Sequence, residues 1–140
     1  MANALYGLAR EKYLGGTGQL NFATDDVRAM LVRGYTLGAN IDTHQFESDV
    51  TGAGGTIVSS TAAFASKTVA LGVADAADTV FSAVASGAAC PYVIIKKHTG
   101  TASTSNLIVY IDTATGLPVT PNGGDINLVF DNGANRIFKL

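Results

Sequence analysis

Tryptophan is absent from this chain, cysteine occurs once, and charge is scarce. A single cysteine, Cys90, excludes an intramolecular disulfide and a cysteine-based metal cluster. It stands before Pro91, where extended backbone is favoured, so it is expected to open a strand as a small buried hydrophobe. Charged residues make up 14 %, where about a quarter is usual. With a net charge of -2 there is no basic footprint for nucleic acid or an anionic membrane, and Lys96-Lys97 is the only basic doublet. No apolar run approaches the ~18 residues of a membrane-spanning helix. The opening MANALYGLAREKYLGG carries charge too early, and too short an apolar run, to read as a signal peptide. The expectation is a protein that works without crossing a membrane and binds neither membrane nor nucleic acid. Without tryptophan, a sugar-binding surface would rest on the five tyrosines.

Catalytic patterns are missing as well. The nucleophile elbow G-x-S-x-G, the phosphate loop G-x-x-x-x-G-K-[ST] and the zinc motif H-E-x-x-H do not occur. His44 and His98 have no recognised catalytic partner nearby in sequence. Gly16-Thr17-Gly18 follows an expected helix, where a dinucleotide fingerprint would follow a strand. Asp75 and Asp78 in GVADAADTVF and Asp112 in YIDTATG raise the question of calcium. Their spacing fits no EF-hand loop, and aspartate at turns ordinarily bonds backbone amides, so turn chemistry is the expectation. The reading is a non-enzyme: no catalytic residue, no cofactor, no metal.

What is present is apolar: 47 % of 140 residues, enough for one domain with a core. A helix is expected over 3–14, with Asn3 as cap, Arg10 and Lys12 at the carbonyl end, and Gly15-Gly16 as the stop. It forms an arm over 1–16 ahead of a single domain over 17–140. Strands are expected over 27–35, 56–60, 66–73, 79–84, 92–98, 106–112, 125–130 and 136–139, separated by Gly-, Asn- and Pro-rich turns. The segment THQFESD reads as a helical turn or structured loop, and 50–65 as a long loop with a weak strand. Ile126, Leu128 and Phe130 alternate with polar residues, the mark of a half-buried strand. Residues 92–95 and 107–111 are apolar on both faces, so both faces must be covered. Asn132-Gly133 suits a tight hairpin that would pair the closing strand with its predecessor. The expected core is Leu31, Phe81, Val93, Ile95, Leu107, Val109, Ile111, Ile126, Leu128 and Phe130. The fold class is mainly β: an antiparallel β-sandwich, jelly-roll-like or a partly closed barrel, with a short N-terminal helix.

Four phrases together carry a resemblance: ANALYGLAREKYLGG, THQFESDV, KTVALGVADAADTVFSAV and the tail YIDTATGLPVTPNGGDINLVFDNGANRIFKL. The chain resembles a family of small virion structural proteins of tailed bacteriophages. The resemblance implies a building block without catalytic residues, in the first place a capsid decoration or cement protein. Its partner would be the major capsid protein, with self-association as dimer or trimer. It would be made in the bacterial host cytoplasm and sit on the capsid surface of the virion. A neck, tail or fibre-attachment component, or a glycan-binding sandwich, are the alternatives. Leu5, Tyr6, Leu8, Tyr13, Lys96 and Lys97 are the expected interface residues, from the N-terminal arm and the one basic doublet.

Overall fold

The computed structural model describes residues 3–140, a mainly β chain whose strand pairs are all antiparallel and whose sheets do not close into a barrel. In chain order the elements are β1 (Ala4–Leu5), α1 (Gly7–Tyr13), β2 (Val27–Arg33), a 3-10 turn (Gly38–Asp42), α2 (Glu47–Gly52), β3 (Thr56–Ser60), β4 (Thr68–Ala70), β5 (Val73–Asp75), β6 (Thr79–Phe81), β7 (Tyr92–Lys97), β8 (Leu107–Ile111), β9 (Ile126–Leu128) and β10 (Phe138–Lys139). A five-stranded sheet has the order β1-β8-β7-β2-β3, a three-stranded sheet β10-β5-β4, and β6 and β9 form a ribbon.

The two-faced strands sit in the middle of the large sheet, as their composition requires. In β7 and β8, β-branched and aromatic residues favour the pleat and pack across it. Register places Met30, Ile94 and Tyr110 in one row on one face, and Ala29, Ile95 and Val109 on the other. The first face lies under the helical segments: Tyr110 meets Tyr35 and Tyr92 at ring distances of 6.2 and 5.4 Å, and Lys96 reaches Glu47 of α2. The second faces the ribbon across a cleft whose walls include Leu31, Val93 and Ile111 on one side and Ile126 and Leu128 on the other. This makes a sandwich-like arrangement. It also explains why Ile111, Ile126 and Leu128, expected in the core, are only half-buried. The other seven expected core residues are buried.

Three local expectations are corrected. Residues 4 and 5 do not begin a helix: they pair with Tyr110 and Val109, and the helix starts at Gly7. Asn3 caps nothing there; its Oδ1 accepts from the Asp112 and Thr113 amides and the Thr113 hydroxyl. The helix stop is as expected: Gly15 has φ 107° and the Gly16 amide returns to the Glu11 carbonyl at 2.9 Å, a Schellman closure. The single strand over 66–73 is a hairpin instead, because Leu71 and Gly72 both take positive φ (52° and 79°) and turn β4 back into β5.

The closing strand does not pair with its predecessor. β9 pairs with β6, and β10 pairs with β5, Phe138 opposite Ala74. Asn132 and Gly133 lack the positive φ that the expected turn needs. Two residues beyond β9, Phe130 turns inward: its amide donates to Asp78 Oδ1 at 2.9 Å and its ring meets Phe64 edge-on at 5.2 Å. Phe138 then packs against Tyr13 and Phe22 at 5.8 and 5.6 Å. Burying a phenylalanine is worth about 1.5–3 kcal/mol, against roughly 0.2–1 kcal/mol for each cross-strand pair in a short hairpin. The tertiary contact wins over the local turn.

Candidate functional site

The expected interface residues are mostly engaged within the chain. Tyr6 is fully buried: its amide bonds the Ile108 carbonyl at 2.9 Å and its hydroxyl donates to Tyr35 at 3.3 Å. Lys96, 3 % exposed, points under α2 into an ion pair with Glu47. Neither offers surface to a partner, a correction that follows from where each lies: Tyr6 at the β1–α1 junction beneath the sheet, Lys96 on the helix-covered face. Leu5, Leu8, Tyr13 and Lys97 are half-buried. Lys97 pairs with Asp25 at 3.1 Å. The Tyr13 hydroxyl is buried without a hydrogen-bond partner, and burial pushes its pKa well above the ordinary phenol value.

A polar chain runs through the helix-covered face. Tyr6 donates to Tyr35, and Tyr35 shares a hydrogen bond of 2.8 Å with His44 Nδ1. Burial, then the Tyr35 hydroxyl, hold Tyr6 far above its usual pKa, so it stays a neutral phenol. Beside it, Asp49 at the third position of α2 reaches back to the amides of Gln45 and Phe46, both at 2.8 Å. Burial opposes ionisation of Asp49, yet those two amides outweigh it and hold the carboxyl below its ordinary range. This arrangement fastens α2 and the preceding loop to the sheet; its groups are mutually satisfied.

Two of the aspartates raised as calcium candidates, Asp75 and Asp78, bond backbone amides, and Asp75 also faces a cation. Asp75 accepts from the Ala76 amide at 2.9 Å and lies 3.6 Å from Arg136, while Asp78 accepts from the Phe130 amide as described. Among the described residues no group of three or more histidines, cysteines or carboxylates is placed to hold a metal. The His98 amide bonds the Asp26 carbonyl at 2.7 Å, and Asp26 in turn takes two bonds from Arg28 at 2.9 and 2.8 Å. Cys90 is buried as expected, but it does not open β7, which starts at Tyr92; it makes an isolated antiparallel bridge to Val119.

Surface apolar character is concentrated elsewhere. Leu71 is 95 % exposed at the β4–β5 turn, Val69 55 % on β4, and Leu140 53 % beyond β10. These three belong to one margin: the Leu140 amide bonds the Gly72 carbonyl at 2.9 Å, so the chain end closes on the same turn. Leu14 and Val129 are the other large exposed apolar residues. By contrast, none of the five tyrosines or six phenylalanines is exposed. Of two concavities, only the smaller reaches this margin, at Leu140. The cleft between the large sheet and the ribbon measures about 850 Å³, and a groove of about 710 Å³ separates β1 from β10.

Sequence reasoning missed the β4 margin. It ran one strand across 66–73, so Leu71 counted as an ordinary strand residue. Gly72 was the available signal. The chain matches no protein-family model, and no curated protein is similar to it.

Proposed function

We propose that this chain is a structural protein of a tailed-phage virion, a capsid decoration protein that binds the assembled head shell and stabilises it. The observation that carries the reading is the four-phrase resemblance, above all the tail from Tyr110 to Leu140. Surface chemistry supports it: a charge-poor chain places large apolar residues on its outside, while several of its charged side chains, among them Arg10 with Asp42, Arg28 with Asp26 and Lys97 with Asp25, pair with each other. Such a surface suits contact with protein. A decoration protein acts by mass action, since it binds the assembled shell and not the free subunits. Modest contacts, repeated by the symmetry of a shell, add as avidity. The interior placement of the aromatic rings gives a glycan-binding surface little to stack on.

Copy number in purified virions tests the proposal, measured by quantitative mass spectrometry against the major capsid protein. A count equal to the shell subunit, or a simple fraction of it, is expected, and shells lacking the protein should open at lower temperature. A count of one ring would move it to the neck or tail. Absence from virions would overturn the proposal.

A further inference from the structure

Among the described residues, each sheet of three or more strands ends in free edges, and they are not alike. β3 carries a register irregularity opposite Leu31/Val32, β1 is two residues long, and β10 is two residues long with Lys139 in it. Bulges, brevity and charge are the means by which edges avoid pairing. β4 is exposed along its whole length and its Thr-Val-Ala carries no charge. Its turn adds an apolar residue in a left-handed conformation, Leu71 at φ 52°, whose side chain recovers nothing by packing within the chain.

The hydrogen-bond pattern fixes what β4 presents. A two-residue turn makes Ala70 and Val73 a bonded pair, so the next pair, Val69 and Ala74, directs its N–H and C=O groups outward. On the β5 side this is observed: the Ala74 carbonyl accepts from Ile137 at 3.1 Å. On the outer side the corresponding groups of Val69 meet no strand. Val69 also shares a sheet face with Ala74 and Phe138, which are 2 % and 8 % exposed. It is a core-facing residue left uncovered because the sheet stops there.

We infer that the occupant of this edge is β4 of a second copy, paired antiparallel about a two-fold axis centred on Val69. An antiparallel edge is complementary to itself: Val69 of each copy donates to and accepts from Val69 of the other. The two valine side chains then cover each other, and Leu71 of one copy lies opposite Lys67 of the other, against its aliphatic stem. The result is a six-stranded sheet, β10-β5-β4-β4-β5-β10. A contact three residues long is small beside the ~1,200 Å² of a stable interface, so the dimer forms at high concentration or where copies are held side by side. The inference does not depend on the proposed capsid role.

The test uses the full chain with Cys90→Ala and a new cysteine. Under mild oxidation Val69→Cys should give covalent dimer at least ~10-fold faster than Thr115→Cys, an exposed control, since facing Cα atoms ~5.5 Å apart lie within disulfide reach. Sedimentation of the unmodified chain should show concentration-dependent dimer that Val69→Lys abolishes with its circular dichroism unchanged. Leu71→Asn supplies opposite signs: an Asn-Gly turn should raise the melting temperature by ~2–4 °C while weakening the dimer. Cross-linking at position 69 no faster than at 115, or a dimer indifferent to Val69→Lys, would overturn the inference. So would a strictly monomeric chain whose Val69→Lys variant fails only in shell binding, because the edge would then serve the shell.

Discussion

The large sheet and the small one are built on opposite terms. In the five-stranded sheet, β7 and β8 are buried for most of their length and covered on both faces. In the three-stranded sheet, β4 is wholly exposed and only Ala74 and Phe138 reach the core. One region contributes stability; the other presents backbone groups and apolar side chains outward. Stable cores and adhesive edges compete for the same apolar residues, and this chain separates them in space.

Substitutions can break that contrast at several strengths. Ile95→Ala, in the centre of the large sheet, should cost about 4 kcal/mol, read as a lower denaturation midpoint. Glu47→Ala comes next, at about 3 kcal/mol, because it strands the buried Lys96 ammonium without its partner. Replacing both with apolar residues should recover most of the loss, and failure to recover would mean that the pair does more than neutralise. Tyr35→Phe removes the hydroxyl between Tyr6 and His44 and should cost about 1–2 kcal/mol.

Acid gives a sharper cut. A carboxyl whose folded pKa is depressed stabilises the fold above its unfolded pKa of about 4, and that contribution is lost as pH falls through the lower folded value. Asp49 is such a group. Stability should therefore fall below about pH 4, and the fall should be shallower in Asp49→Ala, measured by denaturant midpoints against pH. The smallest effect belongs to the edge. Val69→Thr should change monomer stability by less than about 0.5 kcal/mol, and amide hydrogen exchange should be faster in β4 than in β7 and β8 by orders of magnitude. Equal protection in the two sheets would remove the distinction between them.

Much of the candidate site was hard to read in advance for a physical reason. Lys96 reads in sequence as half of an exposed basic doublet, yet α2 carries Glu47, 49 residues earlier, onto it. Tyr6 looks like part of a loose arm, yet the two residues before it pair with β8. Exposure is a property of what covers a residue, and the cover here comes from distant parts of the chain.

Local chemistry determined the elements that short-range forces can specify. Alternation and β-branching placed β2, β3, β7 and β8 close to their observed bounds, Gly15-Gly16 ended α1, and proline after Cys90 set its extended backbone. Tertiary structure decided which strands pair. Backbone hydrogen bonds are blind to side-chain identity, so strand partners are selected by the burial each arrangement achieves. Thus Phe138 packing on Tyr13 and Phe22 sends β10 to β5, although Asn132-Gly133 beside it would suit a hairpin. The same choice leaves β4 as the outer strand, with Val69 and Leu71 exposed.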